Sequence, residues 1–292
     1  MTLNIAHRGA RSLAPENTLA AAKKALEVGA DMWELDVGIT VDGELIVIHD
    51  DLLTRTTNAD VVFPNRAPWR VSDFTLAEIK QLDTSAPFIR NDPFEQIAAG
   101  QVSADELTAM QGETIPTLQE ALQFTRTHNW RVNVEIKLSP PEMRSFPLAD
   151  KVAALIDEMD MVEQVIVSSF IPLYIHQLKT ANLAIEIAVL TSGPLTLAEK
   201  LKYTPPNLPE ITPMHYFSGE NPLPFLQQIN SLTYHPYYSL LDQHEITTLQ
   251  ESGIAVNIWT VNDKTHMQRL MAAGVNGIIT DFPQVLNQVI GM

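Results

Sequence analysis

The sequence predicts an α/β fold in which eight parallel strands close into a (β/α)8 TIM barrel. Apolar strand-like segments alternate with amphipathic helical segments along most of the 292 residues, which is the pattern of a parallel sheet. Eight such strands can be counted besides one hairpin arm, and eight repeats imply a closed barrel. The alternative, an open doubly wound sheet, normally has a glycine-rich turn after its first strand, whereas Gly9 stands alone there.

Local patterns near the N-terminus predict the first elements. Leu3–Ala6 is predicted to be the first strand, and Thr18–Val28 is predicted to be a helix that ends at Gly29. Met32–Val37 is predicted to be the second strand. Because Asp42–Gly43 lies between two apolar segments, we expect a β-hairpin there.

The rest of the chain repeats the alternation of strand and helix. A capping box, in which Thr is followed three residues later by Glu, predicts helix starts at Thr117 and Thr196. Pro205–Asn221 is rich in proline and is predicted to be a loop. Strands and helices alternate in the remaining predicted elements, which are Val132–Lys137, Leu148–Asp160, Val165–Ser169, Pro172–Thr180, Ile185–Thr191, Phe225–Asn230, Leu232–His235, Gln243–Ser252, Val256–Val261, Lys264–Ala273, Gly277–Thr280 and Pro283–Ile290.

One stretch, about Leu52–Glu113, interrupts the alternation and is too long to be a plain loop in a compact domain. It contains its own helix-start patterns, with capping boxes at Thr75 and Ser103. We therefore interpret residues 52–113 as a small subdomain, inserted after the second strand and covering one mouth of the barrel. Residues 1–292 are interpreted as a single domain, and we expect substrate selectivity to depend on the insertion.

The composition argues against several classes of protein. The chain has no cysteine, which excludes disulfides, thiolate zinc sites and cysteine nucleophiles. The net charge of −16 argues against a nucleic-acid partner, because phosphate backbones are bound by basic surfaces. The sequence shows no secretion signal and no apolar segment as long as a membrane span. We therefore expect a cytoplasmic protein without stable membrane insertion.

Two pairs of charged residues predict a metal site. Glu34 and Asp36 lie two positions apart on the second predicted strand, so both side chains project from the same face. Glu135 and Lys137 repeat that spacing on the third predicted barrel strand. Three carboxylates at the C-terminal mouth of a barrel predict an oxygen site for one divalent cation, Mg²⁺ or Ca²⁺. The alternative is a buried network in which each carboxylate pairs with Arg or Lys.

Two histidines are candidates for acid–base catalysis, because imidazole exchanges protons near neutral pH. His7 follows the first predicted strand at the expected mouth, and His49 closes the hairpin arm beside the second strand. His235 also ends a predicted strand, and it either lines the site or belongs to the wall of the barrel. The remaining candidates are interpreted as structural or surface residues, namely His128, His176, His244 and His266.

An anionic substrate would require local positive charge, since the chain as a whole is strongly negative. Arg8 and Lys137 are the candidate phosphate-binding residues, and each could instead pair with Glu34 or Glu135. Trp259 ends the seventh predicted barrel strand and is a candidate to pack against a substrate. Three further polar residues are expected to hydrogen-bond the backbone or to order their own segments, namely Glu16, Asn17 and Arg55.

These residues lie in motifs that extend over nearly the whole chain: HRG (7–9), PENT (15–18), GADMWELDV (29–37), DG (42–43), HD (49–50), RTT (55–57), EIK (135–137), WTVND (259–263) and GVNGIITDFP (274–283). In these motifs the sequence resembles the glycerophosphodiester phosphodiesterase family, of the cytosolic bacterial type. The resemblance implies an insertion after the second strand. It also implies roles for individual residues, namely metal ligation by Glu34, Asp36 and Glu135, catalysis by His7 and His49, and a place in the pocket for Trp259.

The resemblance implies metal-dependent hydrolysis of a glycerophosphodiester, such as glycerophosphocholine or glycerophosphoethanolamine, to an alcohol and glycerol 3-phosphate. It further implies that the glycerol 2-hydroxyl attacks first and that water then opens a cyclic phosphate. One histidine would deprotonate the nucleophile and the other would protonate the leaving alkoxide, without the sequence assigning which. The preferred head group and the oligomeric state are likewise left open.

Two alternatives to this function are kept. The first is hydrolysis of lysophospholipids by a lysophospholipase D-type activity. It would need an apolar surface near the mouth, for which the insertion offers Val61, Val62, Phe63, Trp69, Phe88 and Phe94. The second, of a different class, is a non-catalytic barrel that binds a polyol phosphate.

Overall fold

A computed structural model describes residues 1–143, 145–192 and 221–291. Eight parallel strands form a closed barrel, as the sequence predicts, and a ninth strand pairs antiparallel at its side. The order around the sheet is β1-β9-β8-β7-β6-β5-β4-β2-β3, and pairing of β1 with β2 closes the barrel. The strands are β1 (Leu3–Ala6), β2 (Met32–Ile39), β3 (Leu45–Val47), β4 (Arg131–Ile136), β5 (Val165–Ser169), β6 (Glu186–Thr191), β7 (Thr233–Pro236), β8 (Ala255–Ile258) and β9 (Gly277–Thr280).

Helices connect the strands and cover the outside of the barrel. The described residues form the α-helices α1 (Leu19–Glu27), α2 (Ala59–Val62), α3 (Leu76–Ile79), α4 (Ser85–Asn91), α5 (Ala104–Ala109), α6 (Leu118–Thr127), α7 (Leu148–Glu158), α8 (Pro172–Ala181), α9 (Leu223–Gln228), α10 (Gln243–Glu251), α11 (Lys264–Ala272) and α12 (Pro283–Ile290). Short 3-10 helices occur at Leu53–Arg55, Val71–Asp73, Pro141–Met143 and Val162–Gln164. Within the described part of the chain, no helix has the length and apolar character to span a membrane.

The helix-start patterns predicted from the sequence are confirmed wherever they are described. Thr75, Ser103 and Thr117 each cap a helix with their side chain, while a Glu three residues later bonds back to the cap. Gly29 follows Val28, the C-cap of α1, and has a φ of +80°, which a residue without Cβ adopts freely. The predicted capping box at Thr196 and residues 205–220 of the predicted loop lie outside the described residues.

The hairpin arm is also confirmed, and its first side is a direct continuation of the second barrel strand. β2 continues to Ile39, and its last residues pair with β3. Gly43 in the turn has a φ of +81°. Because β2 runs past the rim of the barrel and folds back, the arm holds His49 next to the end of the strand that carries Asp36.

The strand register determines which side chains face the barrel interior. Glu34 lies beside Asn133 and Asp36 lies beside Glu135 across β2 and β4. Side chains alternate along a strand, so these four project from one face. An apolar cluster shares the interior and includes Ile5, Met32, Ile166, Ala188 and Ile279. The polar groups of β2 and β4 therefore share the barrel interior with this apolar cluster.

The first half of the segment 52–113 packs in a separate hydrophobic cluster, whereas Phe88, Val102 and Met110 of its second half pack in the main core of the barrel. Phe74 and Leu53 are fully buried at the centre of the separate cluster, and Ile46 of the hairpin arm joins them. Ser72 donates a hydrogen bond to Glu142, which follows β4, at 2.6 Å. This packing attaches the segment to the arm that carries His49. The assignment of residues 52–113 to an inserted subdomain of a single 1–292 domain stays a prediction.

Candidate active site

Three carboxylates from two neighbouring strands meet inside the barrel mouth. Glu34, Asp36 and Glu135 are all buried, and one oxygen of each lies within 4.8 Å of the others. Glu34 and Asp36 come from alternate positions of β2, and Glu135 lies beside Asp36 on β4. The spacing inferred from the sequence thus brings the three predicted ligands together.

The electrostatics of this cluster fit a bound cation. Glu34 Oε1 and Asp36 Oδ1 are buried and accept no hydrogen bond from any described residue. Burial, and then the charges of Asp36 and Glu135, raise the pKa of Glu34 well above its ordinary value. Unpartnered carboxylate oxygens in a buried, mutually repelling group are costly unless a cation neutralises them. All-oxygen ligands suit a hard divalent ion such as Mg²⁺ or Ca²⁺.

The alternative of a salt-bridge network holds in part. Arg8 Nε lies 3.2 Å from Asp36 Oδ2, and Lys137 Nζ lies 2.7 Å from Glu135 Oε1 and 3.6 Å from Asp36 Oδ1. Burial would raise the pKa of Asp36, but Arg8 and Lys137 hold that pKa well below its ordinary value. Two cations do not balance three carboxylates, so the network leaves negative charge for an ion.

His7 is held by an aspartate from the far end of the chain. Its Nδ1 lies 2.6 Å from Asp281 Oδ1, and Asn262 Nδ2 donates to Asp281 Oδ2 at 2.7 Å. An ionised carboxylate only accepts, so Nδ1 of His7 carries the proton and Nε2 remains for proton exchange. Burial and the charge of Arg8 lower the pKa of His7 below its ordinary value.

His49 has an equivalent arrangement with its sequence neighbour. Its Nδ1 lies 2.7 Å from Asp50 Oδ1, and its side chain is 32% exposed. Burial opposes ionisation of Asp50, but the hydrogen bonds from His49 and Arg55 lower its pKa. Each predicted acid–base histidine therefore has one aspartate on Nδ1, which orients the ring and selects its tautomer.

A tight turn after β1 places Arg8 against the carboxylates. The backbone N–H of Arg8 donates to Glu34 Oε2 at 2.8 Å, and Arg8 has a φ of +56°. Gly9 follows with a φ of +77°, and a Cβ there would lie 2.6 Å from atoms of Ala21 in α1. Only glycine fits this close approach. Gly9 therefore allows the turn after β1 to pack closely against α1.

Two residues of the PENT motif have partners other than those predicted. The prediction that Glu16 hydrogen-bonds the backbone is wrong. Its carboxylate instead accepts hydrogen bonds from the side chains of Arg8, Arg11 and Arg55. Asn17 is predicted to hydrogen-bond the backbone of its own loop, but its side chain makes two hydrogen bonds to Asp36 of β2 instead. Its Nδ2 donates to Asp36 Oδ2 at 2.9 Å and its Oδ1 accepts from the Asp36 N–H at 3.1 Å.

Trp259 and His235 lie together on the opposite side of the mouth. Trp259 Nε1 donates to the backbone oxygen of His235 at 2.8 Å, and its ring meets Phe170 and Tyr237 edge-on. Trp259 is partly exposed, whereas His235 is completely buried and touches Asn257. Burial lowers the pKa of His235 to about 3. The structure thus favours His235 as a wall residue over a residue that contacts substrate.

A cavity of about 400 Å³ opens beside the carboxylates. Its lining includes the charged residues Lys137 and Glu135 and apolar residues such as Phe170. The volume is in the range of small-molecule pockets. The residues that line it are His49, Asp50, Asp51, Leu52, Glu135, Ile136, Lys137, Leu138, Phe170 and Ile171.

Sequence reasoning missed Asp281, Asn262 and Arg11. Asp281 and Asn262 both lie inside motifs that carry the family resemblance. Strand parity could have found Asp281, because it is two positions beyond Ile279, which faces the barrel interior. Arg11 carried no such pattern, since its place depends on the course of an irregular loop.

Comparisons with known proteins agree with this geometry. Residues 7–285 match the model of the glycerophosphoryl diester phosphodiesterase family. A glycerophosphodiester phosphodiesterase from Caldanaerobacter subterraneus subsp. tengcongensis is 34% identical over 98% of this chain and 96% of its own length. One from Bacillus subtilis is 29% identical over 98% and 86%.

Solved structures are similar over the same extent. An Oleispira antarctica phosphodiesterase in complex with the product sn-glycerol-3-phosphate has a TM-score of 0.70 and 23% identity, covering 99% of this chain and 96% of that one. A glycerophosphodiester phosphodiesterase from Agrobacterium tumefaciens has a TM-score of 0.68 and 24% identity, covering 99% and 100%. At these identities the likeness shows the barrel fold.

Proposed function

The chain belongs to the glycerophosphoryl diester phosphodiesterase family, and from this premise we propose that it hydrolyses small glycerophosphodiesters to an alcohol and glycerol 3-phosphate. Glycerophosphocholine and glycerophosphoethanolamine are the proposed substrates. The observation that carries the proposal is the buried cluster of three carboxylates at a mouth that also holds two histidine–aspartate pairs. Phosphoric diester hydrolysis needs both charge neutralisation and proton transfer, and these groups supply them.

Glu34, Asp36 and Glu135 would hold one divalent cation, Mg²⁺ or Ca²⁺. When bound, such an ion offsets the negative charge that develops on a phosphoryl group. Arg8 and Lys137 lie beside the same carboxylates and would bind the phosphate oxygens, the first as a planar fork and the second as a point charge. Local positive charge at this spot would offset the repulsion of an anion by the acidic molecule.

His7 and His49 would perform the two proton transfers. One takes the proton of the glycerol 2-hydroxyl, whose oxygen forms a bond to phosphorus. The other gives a proton to the alcohol oxygen as its bond to phosphorus breaks. The resulting cyclic phosphate is opened when water adds to phosphorus and the 2-oxygen is released and protonated, with the histidine roles reversed. Trp259 is proposed to pack against the glycerol carbons.

The lysophospholipase D-type alternative requires an apolar surface near the mouth, and the six described residues named for it do not form an exposed one. Of the six residues named for it, only Val61 is largely exposed, at 72%. Phe63 packs on Phe74, Phe88 is buried, and Phe94 packs on Phe282. The structure therefore favours deacylated substrates. Choline release from acylated and deacylated forms of one substrate separates the two hypotheses.

The deciding experiment is a hydrolysis assay on several glycerophosphodiesters with metal-stripped protein, with and without added Mg²⁺ or Ca²⁺. We expect activity to disappear on stripping and to return with one of the ions. Full activity in the stripped preparation would remove the metal from the proposal. Substrate binding without turnover under all conditions would favour the non-catalytic barrel. The cytoplasmic location and the lack of a nucleic-acid partner stay predictions of the sequence.

A further inference from the structure

We infer that Glu16 is a positioning residue that holds both histidine–aspartate pairs in place through three arginines. The inference rests on the proposed function, because it requires His7 and His49 to act as the acid–base pair. Neither the family resemblance nor the sequence motifs had assigned Glu16 this task.

The carboxylate of Glu16 contacts three guanidinium groups at once. Oε1 accepts from Arg8 at 2.9 Å and from Arg55 at 2.6 Å. Oε2 accepts from Arg11 at 2.6 Å and from Arg55 at 2.9 Å. The pairing with Arg55 is bidentate, which fixes the relative orientation of the two groups. Glu16 is thus the shared partner of three cations.

One branch of this network leads to His7. Arg11 NH1 lies 3.5 Å from Asp281 Oδ1, the same oxygen that lies 2.6 Å from His7 Nδ1. Asn262 contacts Asp281 from the other side, donating to Oδ2 and accepting from the Asp281 N–H at 3.0 Å. Arg11 therefore lies between Asp281 and Glu16, and its shorter contact, at 2.6 Å, is with Glu16.

The second branch leads to His49. Arg55 donates to both oxygens of Asp50, through NH2 to Oδ1 at 3.0 Å and through Nε to Oδ2. Asp50 Oδ1 is also the oxygen that lies 2.7 Å from His49 Nδ1. Arg55 therefore lies between Glu16 and Asp50 and contacts both through more than one bond.

The two branches begin on different parts of the fold. Arg8, Arg11 and Glu16 lie in the loop between β1 and α1, whereas Arg55 lies in the 3-10 helix at the start of the insertion. Glu16 therefore ties the insertion, with His49 beside it, to the loop that carries His7. A third contact, from Arg8 to Asp36 at 3.2 Å, adds the carboxylate cluster to the same network.

The energetics favour one fixed arrangement of this network. The Glu16 side chain is only 10% exposed. Without it, three neighbouring guanidinium groups would each lose a carboxylate partner. Such a network has few alternative geometries in which every donor is paired. Because proton transfer is sensitive to displacements of about 1 Å, loss of the shared partner is expected to reduce turnover without removing any group that contacts substrate.

The test compares Glu16→Gln with Glu113→Gln. Glu113 is a matched control, because it is a partly buried carboxylate that ties the insertion to α1 through the Ala20 N–H. We expect Glu16→Gln to lower kcat by about 10- to 100-fold with KM changed less than about threefold. Glu16→Asp, which keeps the charge, should retain more activity than Glu16→Gln. Glu113→Gln should keep kcat within about twofold.

A second measurement tests the branch to His49 and does not require Glu16 variants to fold. Arg55 is half exposed, so Arg55→Gln is expected to fold and to lower kcat several-fold. In an Asp50→Asn background, Arg55→Gln should add less than about threefold, since both changes break the same branch. Full multiplication of the two losses, or wild-type kcat in folded Arg55→Gln, would overturn the inference.

The outcomes separate this inference from the proposed function. If His7→Ala or His49→Ala retains wild-type turnover, the acid–base proposal fails and the positioning role fails with it. If both histidine variants lose turnover while folded Glu16→Gln keeps it, only the positioning role of Glu16 is overturned. Loss of turnover in both histidine variants, together with the kcat-specific loss in Glu16→Gln, supports both.

Discussion

An aspartate behind each histidine is the main feature of the site at the scale of single residues. Asp281 and Asp50 lie 2.6 Å and 2.7 Å from the Nδ1 atoms of His7 and His49. A carboxylate in this place accepts the Nδ1 proton, which leaves Nε2 for chemistry. The two rings thus have the same tautomer although one aspartate is adjacent in sequence and the other is 274 residues away.

Asp281→Asn tests the importance of that tautomer. An amide can donate to Nδ1 and so stabilise the ring with its proton on Nε2. We expect kcat to fall by about 100-fold or more while KM changes little, by analogy with loss of the carboxylate in serine-protease triads. Steady-state kinetics together with the thermal midpoint measure this. A variant that folds normally and keeps wild-type kcat would show that Asp281 does not orient His7.

The lowered pKa of Glu16 predicts that the stability of the fold depends on pH. Burial opposes its ionisation, but the hydrogen bond from Arg55 and the charges of Arg8 and Arg11 lower its pKa from 4.5 to about 2. A lowered carboxylate pKa stabilises the fold above the unfolded pKa, and this contribution is lost as pH falls toward the folded pKa. The contribution at neutral pH is on the order of 3 kcal/mol.

The free energy of unfolding of wild type and Glu16→Gln, measured in urea from pH 7 to pH 3, checks this dependence. We expect wild type to be the more stable protein at pH 7 and the difference to shrink below about pH 4.5. A difference that stays constant across this range would contradict the ion-pair explanation. In that case the substitution would act through packing alone.

At the scale of elements, the segment 52–113 is the part whose packing bears on the site. Its cluster around Phe74 includes Ile46 and Ile48, the latter directly before His49. The packing of residues 53–82 and the position of His49 therefore depend on one small hydrophobic core. Arg55 joins the same region to the loop after β1.

Phe74→Ala is expected to destabilise the protein by about 3 to 5 kcal/mol, because it removes a completely buried ring. We also expect a lower kcat, since the support beneath the hairpin arm is lost. Val61→Ala is the matched control, because Val61 belongs to the same segment and is 72% exposed. It should change stability by less than about 0.5 kcal/mol. Equal effects of the two substitutions would show that the segment 52–113 does not pack around Phe74.

At the scale of the whole molecule, the net charge of −16 opposes the approach of an anion. The site itself concentrates Arg8, Arg11, Arg55 and Lys137, each of them paired with carboxylates. The long-range field therefore repels an anionic substrate, whereas the local positive groups attract it. Salt screens the long-range repulsion much more than the local attraction, because the site is largely buried.

This difference predicts that salt assists anionic substrates selectively. Raising NaCl from about 20 mM to about 200 mM, at constant divalent ion, should increase kcat/KM about twofold or more for glycerophosphoglycerol, which is a net anion. Glycerophosphocholine, which has no net charge, should respond less. Initial rates at substrate concentrations below KM measure both. A decrease for the anionic substrate would indicate that local attraction dominates even at long range.

Much of the architecture follows from the sequence because its causes are local. Strand alternation places Glu34 and Asp36 on one face, and capping boxes at Thr75, Ser103 and Thr117 mark helix starts that the structure has. A count of eight strands is sufficient to predict closure of the barrel. Each of these inferences uses residues that are close together in the chain.

The partners of Glu16, Asn17 and His7 could not be predicted in this way. Asp281 reaches His7 only because β9 pairs with β1 in the closed barrel, and Arg55 contacts Glu16 across 39 residues of sequence. Local patterns in the chain are therefore enough to predict the barrel and to propose its ligand and histidine candidates. The side chains that orient those groups come from distant segments, so only the closed, packed fold could reveal them.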